Sequence, residues 1–589
     1  MKKSLLFVTL IAAVSALAQV RNVAPVTPAM LLNPSPDDWL MYSRTYDAQR
    51  YSPLNQISKG NVGRLAQVWT RPLATGTIEI IPIVHAGVMY VAVPTQVDGM
   101  GRTAVEALDA ANGNVIWEYV RPTGGPSRTK TLGIFEDLII FGAPDNYIVA
   151  LDANTGKVRW ETQSTGGLSS GTIVFGDKVL TGRTCNGQRA NCYIAAHDAR
   201  TGKEAWRFYT AAGSDDPTGD ATWGGAPEAT RTASTWGLGG SYDPSRKTIY
   251  WGVANPTPNT RAARHGGNVD AIPRTAPADL YSNSTVALDA ETGKLRWYFQ
   301  HLPGDDWDQD YTNERILLRT KVSPDPKFVK WLNPDIPKGQ ERDIVMNVGE
   351  GGGIFALDRT TGQFLWANPF PYDDPNFLIS NIDGKTGKTT INWDVVLKQP
   401  GEHHVICAYN TKSYWPMSYH PGKNSLYIPY ADDCLDMTRA IGTPGPRGAP
   451  PTPGNAPERR FGTRRPGSDP EKFGGLAKVN VATGEITRLY EGPAPGNGAT
   501  LTTAGDLVFW GDLNQKFRAF DADNGKILWE ATLGGPIQNS TITYRVNGKQ
   551  YVAVITGLGA VTQSLFNRAG ANGINPQRNN AIHVFTLPN

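Results

Sequence analysis

ALDAANGNVIW at residues 107–117, ALDANTGKVRW at 150–160 and AHDARTGKEAW at 196–206 are three copies of one phrase, and this phrase decides the fold. It returns as ALDAETGKLRW at 287–297, ALDRTTGQFLW at 356–366 and AFDADNGKILW at 519–529, with a degenerate copy, AKVNVATGEIT, at 477–487. Such repetition is typical of radial or linear arrays of one structural unit.

Each copy predicts a β-hairpin, in which a strand ends in Ala-x-Asp, a tight turn contains Thr-Gly or Asn-Gly, and a second strand ends in Trp. Glycine supplies the positive φ of the turn, the Asp accepts backbone hydrogen bonds, and the Trp packs on the next unit. Asp109, Asp152 and Asp198 are therefore interpreted as structural residues and not as catalysts.

The spacing of the copies predicts the architecture. The first two begin 43 residues apart, which is the length of a four-stranded propeller blade. Seven copies and an earlier segment that ends near Trp69 predict an all-β, eight-bladed β-propeller with tryptophan-docking repeats over residues 19–589. The final segment, AIHVFTLPN at 581–589, is expected to pair with the N-terminal region and to close the ring.

The N-terminus predicts export. MKKSLLFVTLIAAVSALAQ has two lysines, a short apolar run and small residues Ala16 and Ala18, which is typical of a signal peptide over residues 1–18. The apolar run is too short to span a bilayer, and no later segment is long enough. With 57 basic and 54 acidic residues spread along the chain, nothing indicates a nucleic-acid partner.

Four cysteines remain in an exported chain, where disulfides persist. Their order suggests that Cys185 pairs with Cys192 and Cys407 with Cys434. Zinc binding is the competing interpretation, but no Cys-x-x-Cys pair is present. The haem-attachment pattern Cys-x-x-Cys-His is also missing, so an electron-transfer haem is expected on another protein.

Two segments interrupt the repeat pattern. Residues 437–473 are rich in Pro, Gly and Arg and predict a long surface loop without regular structure. Residues 259–280 are a second insertion. Both segments are interpreted as solvated loops, with a substrate lid as the alternative.

The chemistry is expected in segments outside the repeats: STWGLGGSYDPSRKTIYWGVANPTP at 234–258 and LPGDDWDQDYTNE at 302–314. Together with DWLMYSRTYDAQRYSPLNQISKGNVGRLAQVW at 38–69 and TTAGDLVFWG at 502–511, their order resembles the quinoprotein alcohol dehydrogenases, which depend on pyrroloquinoline quinone (PQQ). The resemblance covers essentially the whole mature chain and is to members without a fused cytochrome domain.

This resemblance implies a cofactor site. Trp236 matches the tryptophan on which the quinone stacks, and its alternative interpretation is one more packing tryptophan. Ser234 and Thr184 match hydroxyl residues that hydrogen-bond the cofactor carboxylates. Asn497 matches a residue that contacts the quinone from the last blades.

The resemblance also implies a catalytic base and a metal site. Asp308 matches the base that takes the alcohol proton. Asn255, Asp308 and Asp310 match ligands of a hard cation, calcium or a lanthanide ion. An aspartate at the position of Asp310 resembles the lanthanide-dependent members, because a trivalent ion gains more from an additional carboxylate.

Several positions depart from the family pattern. Gly187 stands where a metal-binding glutamate is usual, Glu350 where a basic residue is usual, and Ser413 where an asparagine is expected. The adjacent cysteine pair that often covers the cofactor is absent from RTKTLGIFEDL at 128–138. These departures weaken the predicted metal site.

Two functions of different classes follow. The first is a periplasmic enzyme that oxidises a small alcohol to an aldehyde or ketone with PQQ and passes electrons to a periplasmic cytochrome c. The alternative is a non-catalytic propeller that serves as a scaffold, as in outer-membrane assembly lipoproteins.

Overall fold

The computed structural model describes residues 22–126, 128–441, 457–538, 540–559 and 573–588. The predicted signal peptide lies outside the described residues. Strands are the main regular structure of the described chain, and its helices are only three to five residues long. The α-helices span Pro28–Leu32, Pro217–Asp220 and Arg261–Arg264, and the 3-10 helices span Val62–Arg64, Arg189–Asn191, Ala221–Trp223, Glu228–Thr230, Trp393–Val395 and Pro421–Lys423.

Eight sheets of four or five strands, named A to H here, follow one another within the described ranges. Sheet A contains Ile83–His85, Val88–Val97, Met100–Asp109 and Val115–Val120; sheet B contains Gly133–Phe135, Leu138–Gly142, Tyr147–Asp152 and Val158–Gln163. Sheet C contains Thr172–Phe175, Lys178–Thr181, Tyr193–Asp198 and Glu204–Tyr209; sheet D contains Ser241–Asp243, Thr248–Gly252, Ser284–Asp289 and Leu295–Gln300.

The second half of the chain repeats this arrangement. Sheet E contains Ile316–Val322, Gln340–Gly349, Gly352–Asp358, Phe364–Asn368 and Trp331–Leu332; sheet F contains Ser418–His420, Ser425–Ala431, Gly474–Asn480 and Ile486–Gly492. Sheet G contains Leu501–Thr503, Leu507–Gly511, Lys516–Asp521, Ile527–Thr532 and Tyr51–Ser52; sheet H contains Ile542–Val546, Lys549–Thr556, Ala581–Thr586 and Ala66–Pro72. Short strands outside these sheets are Thr232–Ala233, Pro256–Thr257, Ile379–Ile382, Thr389–Ile391, His403–Cys407, Cys434–Thr438 and Glu458–Thr463.

Sheet H joins the two ends of the described chain. Ala66–Pro72 pairs antiparallel with Ala581–Thr586, so the prediction that the last segment pairs with the N-terminal region is confirmed. This pairing covers a strand edge that would otherwise be free to bind another chain.

Six tryptophans dock as predicted, whereas Trp366, at the end of the 356–366 repeat, is fully buried but its Nε1 has no hydrogen-bond partner among the described residues. Indole N–H groups donate to a backbone carbonyl of a neighbouring repeat at 2.9–3.3 Å; the donors are Trp69, Trp117, Trp160, Trp206, Trp297 and Trp529. The Trp117 ring lies so close to Gly156 that a Cβ there would approach it to 2.6 Å, and Gly156 has φ +70°. Only glycine fits this turn.

The repeat aspartates are structural, as expected. Asp109 Oδ1 accepts the backbone N–H of Ala111 at 2.9 Å. Asp152 Oδ1 accepts the N–H groups of Asn154 and Thr155 at 3.1 and 3.0 Å. Each carboxylate therefore holds its own turn.

The structure differs from both loop predictions. Within the 437–473 segment, Glu458–Thr463 is a strand that pairs with Cys434–Thr438, with Met437 opposite Arg459, and residues 442–456 lie outside the described residues. The 259–280 segment is packed in part: residues 260–262, 264, 272 and 278–280 are buried, whereas residues 266–268, 270, 273 and 274 are exposed. Its Arg261 is fully buried and donates to the carbonyls of Gly304 and Ile272 at 2.8 and 3.2 Å.

The cysteine prediction is confirmed, since the structure pairs Cys185 with Cys192 and Cys407 with Cys434. The second disulfide joins the strands His403–Cys407 and Cys434–Thr438, which lie side by side. No helix in the described part of the chain has the length and apolar character needed to cross a membrane.

Candidate active site

Four of the residues singled out from the sequence form one hydrogen-bonded array. Trp236 Nε1 donates to Asp310 Oδ2 at 2.5 Å, and Asp310 Oδ1 accepts the backbone N–H of Asn255 at 2.8 Å. The Asn255 amide Nδ2 donates to Asp308 Oδ1 at 2.8 Å. Segments that are 74 residues apart in sequence thus meet at one place.

The acidic run at 305–310 divides into structural and site residues. Asp305 is fully buried and accepts the backbone N–H groups of Trp307 and Gln309 at 2.6 and 2.7 Å. This turn places Asp308 at φ +68°, a left-handed conformation that Asp and Asn tolerate better than most residues. The turn therefore presents Asp308 and Asp310 toward Asn255.

Negative charge is concentrated around Asp310. Burial and the neighbouring Asp308 charge raise the pKa of Asp310 to about 7. The Asp310 backbone N–H lies 3.3 Å from Glu350 Oε2, and burial together with the Asp310 charge raises the pKa of Glu350 well above its usual range. A cation close to these side chains would relieve their repulsion.

Glu350 was noted in the sequence only as a departure from the family pattern, and the structure places it against Asp310. Ser413, another departure, is fully buried near Glu350, and its hydroxyl has no hydrogen-bond partner among the described residues. Gly187 has φ +89° and lies within the loop closed by Cys185 and Cys192, where it supplies no carboxylate. Within the described ranges, no group of three or more histidine, cysteine, aspartate or glutamate side chains is arranged to hold a metal ion.

A buried lysine borders the Trp236 ring. Lys130 Nζ lies 5.1 Å from the Trp236 ring centroid and 4.8 Å from that of Tyr414, and it pairs with Glu79 Oε2 at 3.0 Å. Burial lowers the pKa of Lys130 to about 8. The sequence analysis missed Lys130; its signal was a charged residue in the otherwise uncharged run TKTLGIF at 129–135.

Thr184 and Ser234 lie beside the first disulfide. Ser234 Oγ accepts the Cys185 backbone N–H at 3.2 Å, and Thr184 Oγ1 lies 2.8 Å from Ser169 Oγ. The Ser234 carbonyl accepts the N–H of Ala254 at 2.7 Å, next to Asn255. The hydroxyl groups are thus connected to the array through the backbone.

Asn497 is connected to the array less directly. Its backbone bridges to Gln538, whose Oε1 accepts from Tyr414 Oη at 3.4 Å. Tyr414 makes an edge-to-face contact with Trp236, with ring centroids 5.9 Å apart. Both amide atoms of Asn497 are buried and have no hydrogen-bond partner within the part of the chain that the structure describes. Such atoms are rare and fit contact with a polar ligand.

A further residue comes from the 437–473 segment and was not expected. Arg459 Nη1 donates to Asp308 Oδ2 at 2.8 Å, and its Nη2 donates to the carbonyl of Trp307 at 3.2 Å. Both oxygens of Asp308 therefore accept a hydrogen bond, one from Asn255 and one from Arg459.

Comparison with known proteins gives a consistent result. The family model described as the PQQ-dependent glucose/ethanol/alcohol dehydrogenase β-propeller domain matches residues 39–133, 161–369 and 471–552. The quinohemoprotein alcohol dehydrogenase of Comamonas testosteroni is 30% identical over 558 residues, covering 89% of this chain and 73% of that protein. The putative dehydrogenase XoxF of Paracoccus denitrificans is 29% identical over 571 residues, covering 88% and 87%.

Solved structures agree over nearly the whole chain. The quinohemoprotein alcohol dehydrogenase ADHIIG of Pseudomonas putida HK5 superposes with a TM-score of 0.79 at 27% identity, covering 97% of this chain and 83% of that one. A europium-containing methanol dehydrogenase gives a TM-score of 0.78 at 27% identity, covering 94% and 99%.

Proposed function

Because the chain belongs to the family of PQQ-dependent glucose, ethanol and alcohol dehydrogenases, we propose that it oxidises a small alcohol to an aldehyde or ketone. The observation that carries this proposal is the hydrogen-bonded array of Trp236, Asp310, Asn255 and Asp308. It joins an aromatic surface to two carboxylates beside a buried lysine.

The side chains around Trp236 suit PQQ, which is planar and carries three carboxylates. The indole ring offers a flat surface, and Lys130 beside it offers a buried positive charge. Thr184 and Ser234 contribute hydroxyl groups, and Asn497 contributes amide atoms without partners in the described structure. We assign these five residues to cofactor binding.

The other side of the array suits a hard cation. Asn255, Asp308 and Asp310 supply side-chain oxygen atoms as metal ligands. Burial and the neighbouring Asp308 charge raise the pKa of Asp310, which reflects the cost of placing two carboxylates close together away from water. Calcium takes about six to eight oxygen ligands, so these side chains supply only part of the shell. No carboxylate stands at Gly187, and Glu350 is the further acidic side chain that lies against Asp310.

Calcium and a lanthanide ion both remain candidates, and Asp310 favours the lanthanide because its charge attracts a trivalent ion more strongly. Asp310→Ala is expected to reduce activation by lanthanum more than activation by calcium. Equal loss with both ions would contradict the lanthanide assignment.

Asp308 is the proposed catalytic base. When bound, PQQ supplies the acceptor for the hydride equivalent and the cation polarises its carbonyl group. The Asp308 side chain is 32% exposed, so a substrate hydroxyl can reach its carboxylate. Asp310 is buried, so a substrate hydroxyl reaches it less readily, and it is the weaker candidate for proton transfer.

The architecture and location complete the proposal. We assign the eight sheets A to H to eight propeller blades of one domain spanning residues 19–589. Residues 1–18 would direct the chain to the periplasm, where a separate cytochrome c would accept the electrons one at a time.

Reconstitution tests the function. Cofactor-free protein is titrated with PQQ by calorimetry in the presence of calcium or lanthanum, and dye reduction is then measured with primary and secondary alcohols. We expect stoichiometric PQQ binding and alcohol-dependent dye reduction with at least one ion. If PQQ fails to bind with either ion while the protein is folded by circular dichroism, the enzymatic proposal is wrong.

A further inference from the structure

The Pro/Gly/Arg-rich insertion reaches the proposed catalytic base. Its strand Glu458–Thr463 carries Arg459, whose guanidinium donates to Asp308 Oδ2 at 2.8 Å and to the Trp307 carbonyl at 3.2 Å. The Arg459 side chain is only 17% exposed. A partly desolvated, charge-assisted pair of this kind is stronger than an exposed surface ion pair.

The surrounding sheet fixes the position of this arginine. Glu458–Thr463 pairs with Cys434–Thr438, which in turn pairs with His403–Cys407. The disulfide between Cys407 and Cys434 links the last two strands. The next residue, Arg460, is exposed, as expected for alternate residues of a strand.

We propose that Arg459 is the internal counter-cation of Asp308, and that it sets how tightly the site binds a metal ion and which ionic charge it prefers. The inference rests on the proposed function, in which Asp308 is a metal ligand. A metal ion bound there must displace the guanidinium from Asp308 or share the carboxylate with it. Either way, Arg459 opposes binding and acts as a positioning residue for Asp308.

The opposition depends on the charge of the metal ion. At equal distance, the Coulomb repulsion from one guanidinium is about one and a half times larger for a trivalent ion than for a divalent ion. Arg459 therefore works against the attraction that Asp310 and Glu350 exert on a lanthanide ion. Removing the positive charge should strengthen lanthanide binding more than calcium binding.

Terbium binding to PQQ-free protein provides a direct measurement, because tryptophan excitation sensitises terbium luminescence at short range and Trp236 adjoins the site. Lanthanum and calcium affinities are obtained by competition. For Arg459→Gln we expect terbium and lanthanum to bind about tenfold more tightly, which corresponds to about 1.4 kcal/mol, and calcium about fivefold more tightly. Arg459→Lys, which keeps the charge, should remain within about twofold of the wild type, and Arg460→Gln, in the same strand but exposed, should match the wild type.

The outcomes separate this inference from the proposed function. Asp308→Asn should weaken terbium binding at least about tenfold, since it removes a charged ligand. If Asp308→Asn weakens binding but Arg459→Gln leaves it unchanged or weaker, the role of Arg459 is wrong and the ligand assignment stands. If Asp308→Asn leaves binding unchanged, or if no variant binds terbium, both the ligand assignment and the role of Arg459 are wrong. Thermal melts of each metal-free variant verify that the comparison is made on folded protein.

Discussion

The docking of one repeat on the next through Trp117 can be tested by its cost to stability. Trp117 is buried, and its Nε1 donates to the Ala153 carbonyl at 2.9 Å. Truncating a buried tryptophan to alanine costs about 3–5 kcal/mol. The Ala153 carbonyl also accepts from Tyr90 Oη at 3.2 Å, so it keeps one hydrogen bond when Trp117 is removed. The loss of the Trp117 hydrogen bond therefore adds about 1 kcal/mol at most to the cost of the truncation. Trp117→Ala should therefore lower the free energy of unfolding by about 4 kcal/mol.

Urea unfolding followed by far-UV circular dichroism measures this loss. Trp117→Phe, which keeps a ring and loses the N–H donor, should cost about 1–2 kcal/mol. Val115→Ala is the control, because Val115 lies in the same strand and is 39% exposed; it should cost less than about 0.5 kcal/mol. If Trp117→Ala is no more destabilising than Val115→Ala, the repeats do not dock through their tryptophans.

Two further predictions concern the site and its support. PQQ affinity, measured by calorimetry, should fall as the pH rises past about 8, because Lys130 then loses the proton that makes it a cation. Lys130→Met should bind PQQ more weakly and should not show this fall in affinity. If the fall is unchanged in Lys130→Met, Lys130 is not its source. Replacing Cys407 and Cys434 together by serine opens a loop with a sequence separation of 27 and should lower the free energy of unfolding in urea by about 3.5 kcal/mol. The same change at Cys185 and Cys192, whose separation is 7, should cost about 2.4 kcal/mol. The opposite order would contradict the loop-entropy reasoning.

The repeat structure was predictable because its determinants are local. The turn glycines, the Asp that holds each turn and the Trp that docks on a neighbour all lie within eleven residues of one another. The paired cysteines were also predictable, since each pair is close in sequence. Local signals of this kind do not depend on how the sheets are arranged around one another.

The site was predictable only in part. The resemblance pointed to Trp236, Asn255, Asp308 and Asp310, which the structure brings together, but their roles remain predictions. Arg459 could not be found, because it lies 151 residues from Asp308 in a segment whose composition is typical of an irregular loop.

Lys130 and Glu350 were hidden for a different reason. Their importance comes from burial beside other charged groups, namely Glu79 for the lysine and Asp310 for the glutamate. A sequence gives the charge of a residue but not the charges that face it across the fold.

The most direct test of the central claim is the turnover of Asp308→Asn reconstituted with PQQ and metal. Asparagine keeps the size of the side chain and tolerates the φ of +68° at this position, so the fold should survive the substitution. Its control is Asp270→Asn, since the Asp270 side chain is 64% exposed and lies outside the array. We predict that Asp308→Asn still binds PQQ but loses about 10²–10⁴-fold in kcat for alcohol oxidation, while Asp270→Asn matches the wild type. Near-normal kcat in Asp308→Asn with PQQ bound would contradict the assignment of Asp308 as the catalytic base.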